Sequence, residues 1–160
     1  MPSVVTFETR ILAAHNVERR RVGVPALVWS ADLARDARLW ADTLARTARF
    51  EHAVQKGQGE NLWSGTRAAY SPEEMVGGWI DEKADYKRGR FPAVSRTGVW
   101  QDVGHYTQLI WYNTVAVGCA LSANSSDDTL VCRYSPPGNW IGEDAEGTPV
   151  RKRVWRKKTR

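Results

Sequence analysis

The chain has only two cysteines, Cys119 and Cys132, and each lies within a β-like run. In residues 115–122, Val115, Val117, Cys119 and Leu121 share one strand face. In residues 129–134, Leu130, Cys132 and Tyr134 do the same. The turn-rich Asn124-Ser125-Ser126-Asp127-Asp128 joins the two runs. The late part of the chain is thereby committed to a hairpin, and a hairpin could set the two sulfurs opposite each other. If oxidised, so short a loop is worth about 3 kcal/mol. Two buried thiols in a reducing compartment are the other reading.

At 160 residues the chain fits one domain with a tail and is long enough to bury a core without a dense disulfide framework. No stretch is apolar enough to span a bilayer. The N-terminus, Met1-Pro2-Ser3-Val4-Val5, soon reaches Glu8 and Arg10 and shows no leader. The chain therefore reads either as cytosolic or as a mature domain that begins at an added Met. The net charge of +5 is unevenly placed. Arg151, Lys152, Arg153, Arg156, Lys157, Lys158 and Arg160 crowd into the last ten residues, which contain no acid. Without those seven, 16 basic residues face 18 acidic ones, so the body is slightly acidic. That balance argues against a nucleic-acid surface over the whole domain. It divides the chain into a domain over 1–145 and a basic tail over 146–160.

Helical spacing of Phe7, Ile11, Ala14 and Val17 predicts a first helix over 7–22, ended by Gly23 and Pro25. Ser30 caps a second, running to about Ala48, with Leu33, Ala37, Trp40 and Leu44 as its apolar stripe. Residues 49–70 show no sustained period and read as a loop. Ser71-Pro72-Glu73-Glu74 opens a third helix through a capping box and a first-turn proline. Met75, Val76, Trp79 and Ile80 face inward, and the helix is expected to reach Tyr86. His105–Trp111 reads as a short helix or a strand. Pro136-Pro137-Gly138-Asn139 closes the domain, and 142–149 reads as a linker. Helices followed by a hairpin predict an α+β or layered α/β/α domain.

Three histidines are present: His15, His52 and His105. His15, inside the first helix, reads as a hydrogen-bonded packing residue. His52 and His105 lie in or beside loops, as does Glu60, while Glu82 sits one turn past Trp79. Two imidazoles and two carboxylates suit zinc, with water completing the shell. The chain has no short ligand spacing such as His-Glu-x-x-His, and four unrelated polar residues are the alternative. There is no nucleophile elbow and no phosphate loop.

Five motifs, in order, carry a resemblance over residues 15–139. They are His15-Asn16-x-x-Arg19, Gly59-Glu60-Asn61-Leu62, Trp79-x-x-Glu82-x-x-x-Tyr86, the run from Gly104 through His105 to Trp111, and the run from Cys132 to Asn139. Together they resemble the CAP superfamily of cysteine-rich secretory proteins, antigen 5 and plant pathogenesis-related proteins. The resemblance implies a three-layer α/β/α sandwich with a central antiparallel sheet and an open cleft. It implies that His52, Glu60, Glu82 and His105 form the cleft tetrad. His52 and His105 would be ligands to zinc or another divalent cation, with Glu60 and Glu82 orienting them. With at most one disulfide, between Cys119 and Cys132, the chain looks more like bacterial members. It would be an extracellular or periplasmic monomer.

Three functions compete. The first is non-enzymatic binding of a lipid, sterol or extracellular protein, with Trp63, Trp100 and Trp140 as candidate apolar walls. The second is a zinc-dependent hydrolase or peptidase in which Glu60 or Glu82 serves as base. The third is attachment of the tail, with Trp155 among its cations, to an anionic membrane or cell-wall polymer.

Overall fold

The computed structural model describes residues 4–147. The basic residues from Arg151 to Arg160, and the anionic-surface reading attached to them, lie outside the described residues. Helix α1 spans Phe7–Val22, capped by Thr6 in a capping box with Thr9 and ended by Gly23 at φ 82°. Phe7, Ile11 and Ala14 face the core as the spacing expects, but Val17 does not join them. Val17 is 68% exposed, whereas His15, Glu18 and Arg19 are buried beside Ile11. The polar groups are inside because their partners are there. Arg19 donates to the carbonyls of Pro25, Leu109, Trp111 and Thr114, and Asn16 clamps both backbone groups of Leu27.

Helix α2, Ala31–Thr47, starts at the Ser30 cap and buries Leu33, Ala37, Ala41 and Leu44; Trp40 packs at the margin. Helix α3, Pro72–Ile80, has the Ser71/Glu74 capping box and Pro72 in its first turn. It stops short of Tyr86 and tightens into a 3₁₀ turn over Asp81–Ala84. Helix α4 is Gly104–Ile110.

The four strands are β1 (Val28–Trp29), β2 (Gly59–Thr66), β3 (Ala116–Ala123) and β4 (Asp127–Ser135), in the order β1-β3-β4-β2. Two expectations need correction. Strand β2 occupies part of the stretch read as a loop. Only Leu62 and Trp63 among its eight residues are large and apolar, so it lacks an alternating signal, and its pairing with β4 supplies the order. The sheet is also mixed rather than wholly antiparallel. Strands β2, β4 and β3 run antiparallel, but β1 pairs parallel with β3, which the long intervening chain permits.

One sheet face packs on α2 through Leu62, Ala120 and Val131. The other carries the larger core, in which Val117, Cys119, Leu130, Cys132 and Tyr134 meet residues of α1, α3 and α4. This is a three-layer α/β/α sandwich. Cys119 faces Cys132 in the hairpin register, and the two form a disulfide. The segment read as a linker packs onto the body over its described part. Phe91 exchanges backbone hydrogen bonds with Gly142 and Glu143. Ala145 is fully buried, and Tyr86 Oη donates to Glu146.

Candidate functional site: two imidazole–carboxylate pairs

His52 lies in the loop after α2. Its Nδ1 is 2.7 Å from Oε1 of Glu60, the second residue of β2. The same oxygen accepts the Ala53 N–H at 3.0 Å. The other oxygen is 2.7 Å from Arg133 Nε, whose residue faces Glu60 in the β2–β4 register. That N–H is not aligned for a hydrogen bond, so the contact is an ion pair held by charge. The Glu60 side chain is 4% exposed and that of His52 is 64% exposed. A buried carboxylate thus holds an accessible imidazole. The hydrogen bond to Glu60 raises the His52 pKa above its ordinary value; burial opposes this, the charge of Glu60 adds to it, and that of Arg133 subtracts.

His105 lies in the first turn of α4. Its Nδ1 is 2.7 Å from Glu82 Oε2, and Glu82 Oε1 accepts the Tyr106 N–H at 3.0 Å. Trp79 stacks on the His105 ring, with centroids 6.1 Å apart and planes at 18°. Ending α3 at Ile80 and tightening the chain into the 3₁₀ turn leaves Glu82 beside α4.

An ionised carboxylate only accepts, so Nδ1 of each histidine carries the hydrogen and the neutral ring keeps its lone pair at Nε2. Neither Nε2 has a hydrogen-bond partner among the described residues. His52, Glu60, Asn61 and His105 line a cavity of about 250 Å³ with Trp100, Gln101, Gly104 and Asn139. Glu82 stands behind His105, outside the lining. The four side chains singled out from the sequence therefore meet as two pairs. Among the described residues no three His, Cys, Asp or Glu side chains form a metal cage. The cleft offers a cation two imidazole nitrogens, each oriented by a carboxylate, and this donor set fits a metal that accepts imidazole.

Other candidates fall elsewhere. His15 is fully buried, with Nδ1 2.8 Å from the Ile11 carbonyl and Nε2 2.8 Å from Tyr134 Oη. Of the three tryptophans, Trp100 lines the cavity. Trp63 packs edge-on against Tyr70, and Trp140 is exposed with Nε1 donating to the Pro137 carbonyl. The sequence reading gave no site role to Arg133. Its signal was available: a charged residue within the otherwise apolar run from Leu130 to Tyr134.

Two histidine–carboxylate pairs in a cleft at the edge of a sheet, itself held between helical layers, define the class of protein. The model of the CAP cysteine-rich secretory protein family matches residues 12–134, and the chain belongs to that family. It is 35% identical over 141 residues to pathogenesis-related protein PR-1 of Medicago truncatula, covering 86% of this chain and 78% of that one. It is 38% identical over 134 residues to pathogenesis-related protein 1A of Nicotiana tabacum, covering 82% and 76%. The fold is shared with a solved structure described as NaASP2 with Zn2+, at a TM-score of 0.75, 23% identity and coverage of 92% and 89%. The relatives are plant and animal proteins, so the bacterial affinity read from the cysteine count has no support. The family is one of secreted proteins, which together with the closed disulfide supports an extracellular setting. Nothing supports a periplasmic one.

Proposed function

We propose that this is an extracellular CAP domain whose His52/His105 cleft binds a divalent cation, zinc first. In this reading the domain acts as a binding module for a lipid, sterol or extracellular partner. The single observation that carries the metal reading is the pair of carboxylate-oriented imidazoles on one cavity. That a fold relative is described with Zn2+ agrees with it. Trp100, 37% exposed beside the imidazoles, offers an apolar surface to a ligand.

Binding is favoured over hydrolysis because both carboxylates are already engaged. Glu60 is shared among His52, Ala53 N–H and Arg133. Glu82 is divided between His105 and Tyr106 N–H. A general base must reach the proton it takes; Glu60 is 4% exposed and Glu82 stands outside the cavity lining, so both are placed to orient imidazoles.

Zinc titration by calorimetry at pH 7 tests the reading. One site is expected in the wild type and none in the His52→Ala/His105→Ala double variant. Affinity should fall as pH drops from 7 to 5, because protons compete for the imidazole lone pairs. Absence of zinc binding, or affinity unchanged at pH 5, counts against the metal site. Zinc-dependent peptide hydrolysis abolished by Glu60→Gln, with the fold intact, would replace the module reading with an enzyme.

A further inference from the structure

Asn61 follows Glu60 on β2 and is 2% exposed, yet it lines the cleft. Which end of its carboxamide faces the cavity is decided by a chain of buried hydrogen bonds that begins in α1. His15 Nδ1 meets the Ile11 carbonyl, which only accepts, so the His15 hydrogen is on Nδ1. Burial lowers the His15 pKa from 6.5 to about 4, so the ring is neutral and Nε2 is an acceptor. Tyr134 Oη must therefore donate to His15 Nε2, and it is left accepting. The Asn61 atom 3.2 Å from Tyr134 Oη must then be the donating Nδ2.

A second constraint gives the same answer. The same Asn61 nitrogen lies 3.0 Å from the backbone carbonyl of His105, and a flipped amide would set two acceptors against each other there. With Nδ2 fixed twice, Oδ1 points away from both partners. It has no protein partner among the described residues, and the residue that carries it lines the cavity.

Three residues lining one cavity thus each keep a lone-pair atom without a protein partner among the described residues: His52 Nε2, His105 Nε2 and Asn61 Oδ1. We infer that Asn61 Oδ1 is a third protein donor to the cation bound in the cleft, an inference that rests on the metal reading of that cleft. The relay from α1 holds this oxygen in place before any metal arrives, so little reorganisation is needed on binding. The resulting site, two imidazoles and one neutral oxygen, suits a borderline divalent ion such as zinc and leaves positions open for water or a ligand.

The test uses the full chain with Zn2+ alone. Calorimetry compares the wild type with Asn61→Leu, which keeps the branched heavy-atom shape and removes the oxygen together with the nitrogen bonded to the His105 carbonyl; a resonance measurement separates the two losses. The affinity of Asn61→Leu should drop by about tenfold or more, on the scale of lost metal-site partners. Equal affinity in Asn61→Leu, with the wild type binding, overturns the role of Asn61 and leaves the two-histidine reading standing. No binding in the wild type overturns both. If Asn61→Leu does not fold, the wild type still decides the question. The Asn61 side-chain carbonyl 13C resonance should shift on adding one equivalent of zinc, and that of Asn16, bonded to Leu27 outside the cavity lining, should not. A stationary Asn61 resonance under bound zinc overturns the inference.

Discussion

His15 should make the fold acid-sensitive well above the range in which carboxylates titrate. The ring is fully buried between α1 and β4, with both nitrogens committed. Protonating it would turn Nε2 into a donor facing a hydroxyl that already donates to it, and would place a charge near the buried Arg19. Burial is the largest cause of its lowered pKa; the hydrogen bond to the Ile11 carbonyl opposes it and the charge of Arg19 reinforces it.

The sign follows from proton counting. In the unfolded chain the ring takes a proton near 6.5, and in the folded protein only near 4. Between those values the unfolded state binds more protons, so stability falls as pH falls. The contribution is complete above 6.5 and fully lost below about 4. At about 1.4 kcal/mol per pH unit, the gap amounts to about 3 kcal/mol. His52 works the other way: its raised pKa adds stability at low pH that is lost as pH rises through the folded value. The assay must therefore isolate His15. Urea unfolding with chelator present, at pH 7 and pH 4.5, should be run on the wild type and His15→Gln. The carboxylates and His52 contribute to both chains and cancel. The wild type should lose about 2–3 kcal/mol more than the variant over this interval. Parallel pH profiles for the two chains would refute the argument.

Two further outcomes follow from packing and covalent closure. A Cβ on Gly118 would lie 2.2 Å from the Ala34 nitrogen and 2.4 Å from the Ser30 carbonyl oxygen, both backbone atoms of the α2 start. Gly118→Ala should therefore cost about 1–3 kcal/mol by chemical denaturation, and a neutral result would mean that α2 can lift off β3 freely. Opening the Cys119–Cys132 disulfide, which closes a loop of 13 residues, should cost about 3 kcal/mol. Coincident denaturation curves for the oxidised and reduced protein would contradict that.

The parts of the fold legible in the sequence are those whose cause is local. The Ser30 cap, the Ser71/Glu74 box and Gly23 mark helix ends by chemistry within a few residues, and α1 and α2 begin and end close to where those signals put them. The hairpin was legible because Cys119 and Cys132 sit at matching positions of alternating runs. Strand β2 was not, because its residues are ordered by β4 rather than by their own pattern. The inner face of α1 was misjudged at Val17 for a related reason. Hydrophobic spacing has no way to register that Arg19 finds four carbonyls waiting on other elements. In the cleft, no local spacing links His52, Glu60, Glu82 and His105. Only the family resemblance gathered them, and it said nothing of the donor and acceptor orientation that the buried relay imposes.

That orientation matters because the two halves of the cleft belong to different layers. Glu60 shares the α2 face of the sheet with Leu62, Val131 and Arg133. His105 and Glu82 belong to the opposite layer, with α4 and the turn after α3. The two imidazoles can serve one ligand only if those layers keep their spacing at the end of β2. Gly59 lets them approach. A Cβ there would lie 2.1 Å from Gln108 Oε1 and 3.3 Å from the Tyr134 Cβ. Gln108 has little freedom to retreat, since Oε1 accepts the Gly138 N–H and Nε2 donates to Thr114. Asn61, two residues on, then ties β2 to the His105 carbonyl and, through Tyr134, to α1. The cleft geometry is thus set by three neighbouring residues of one edge strand. Gly59 fixes the approach, Glu60 orients one histidine, and Asn61 anchors the backbone of the other.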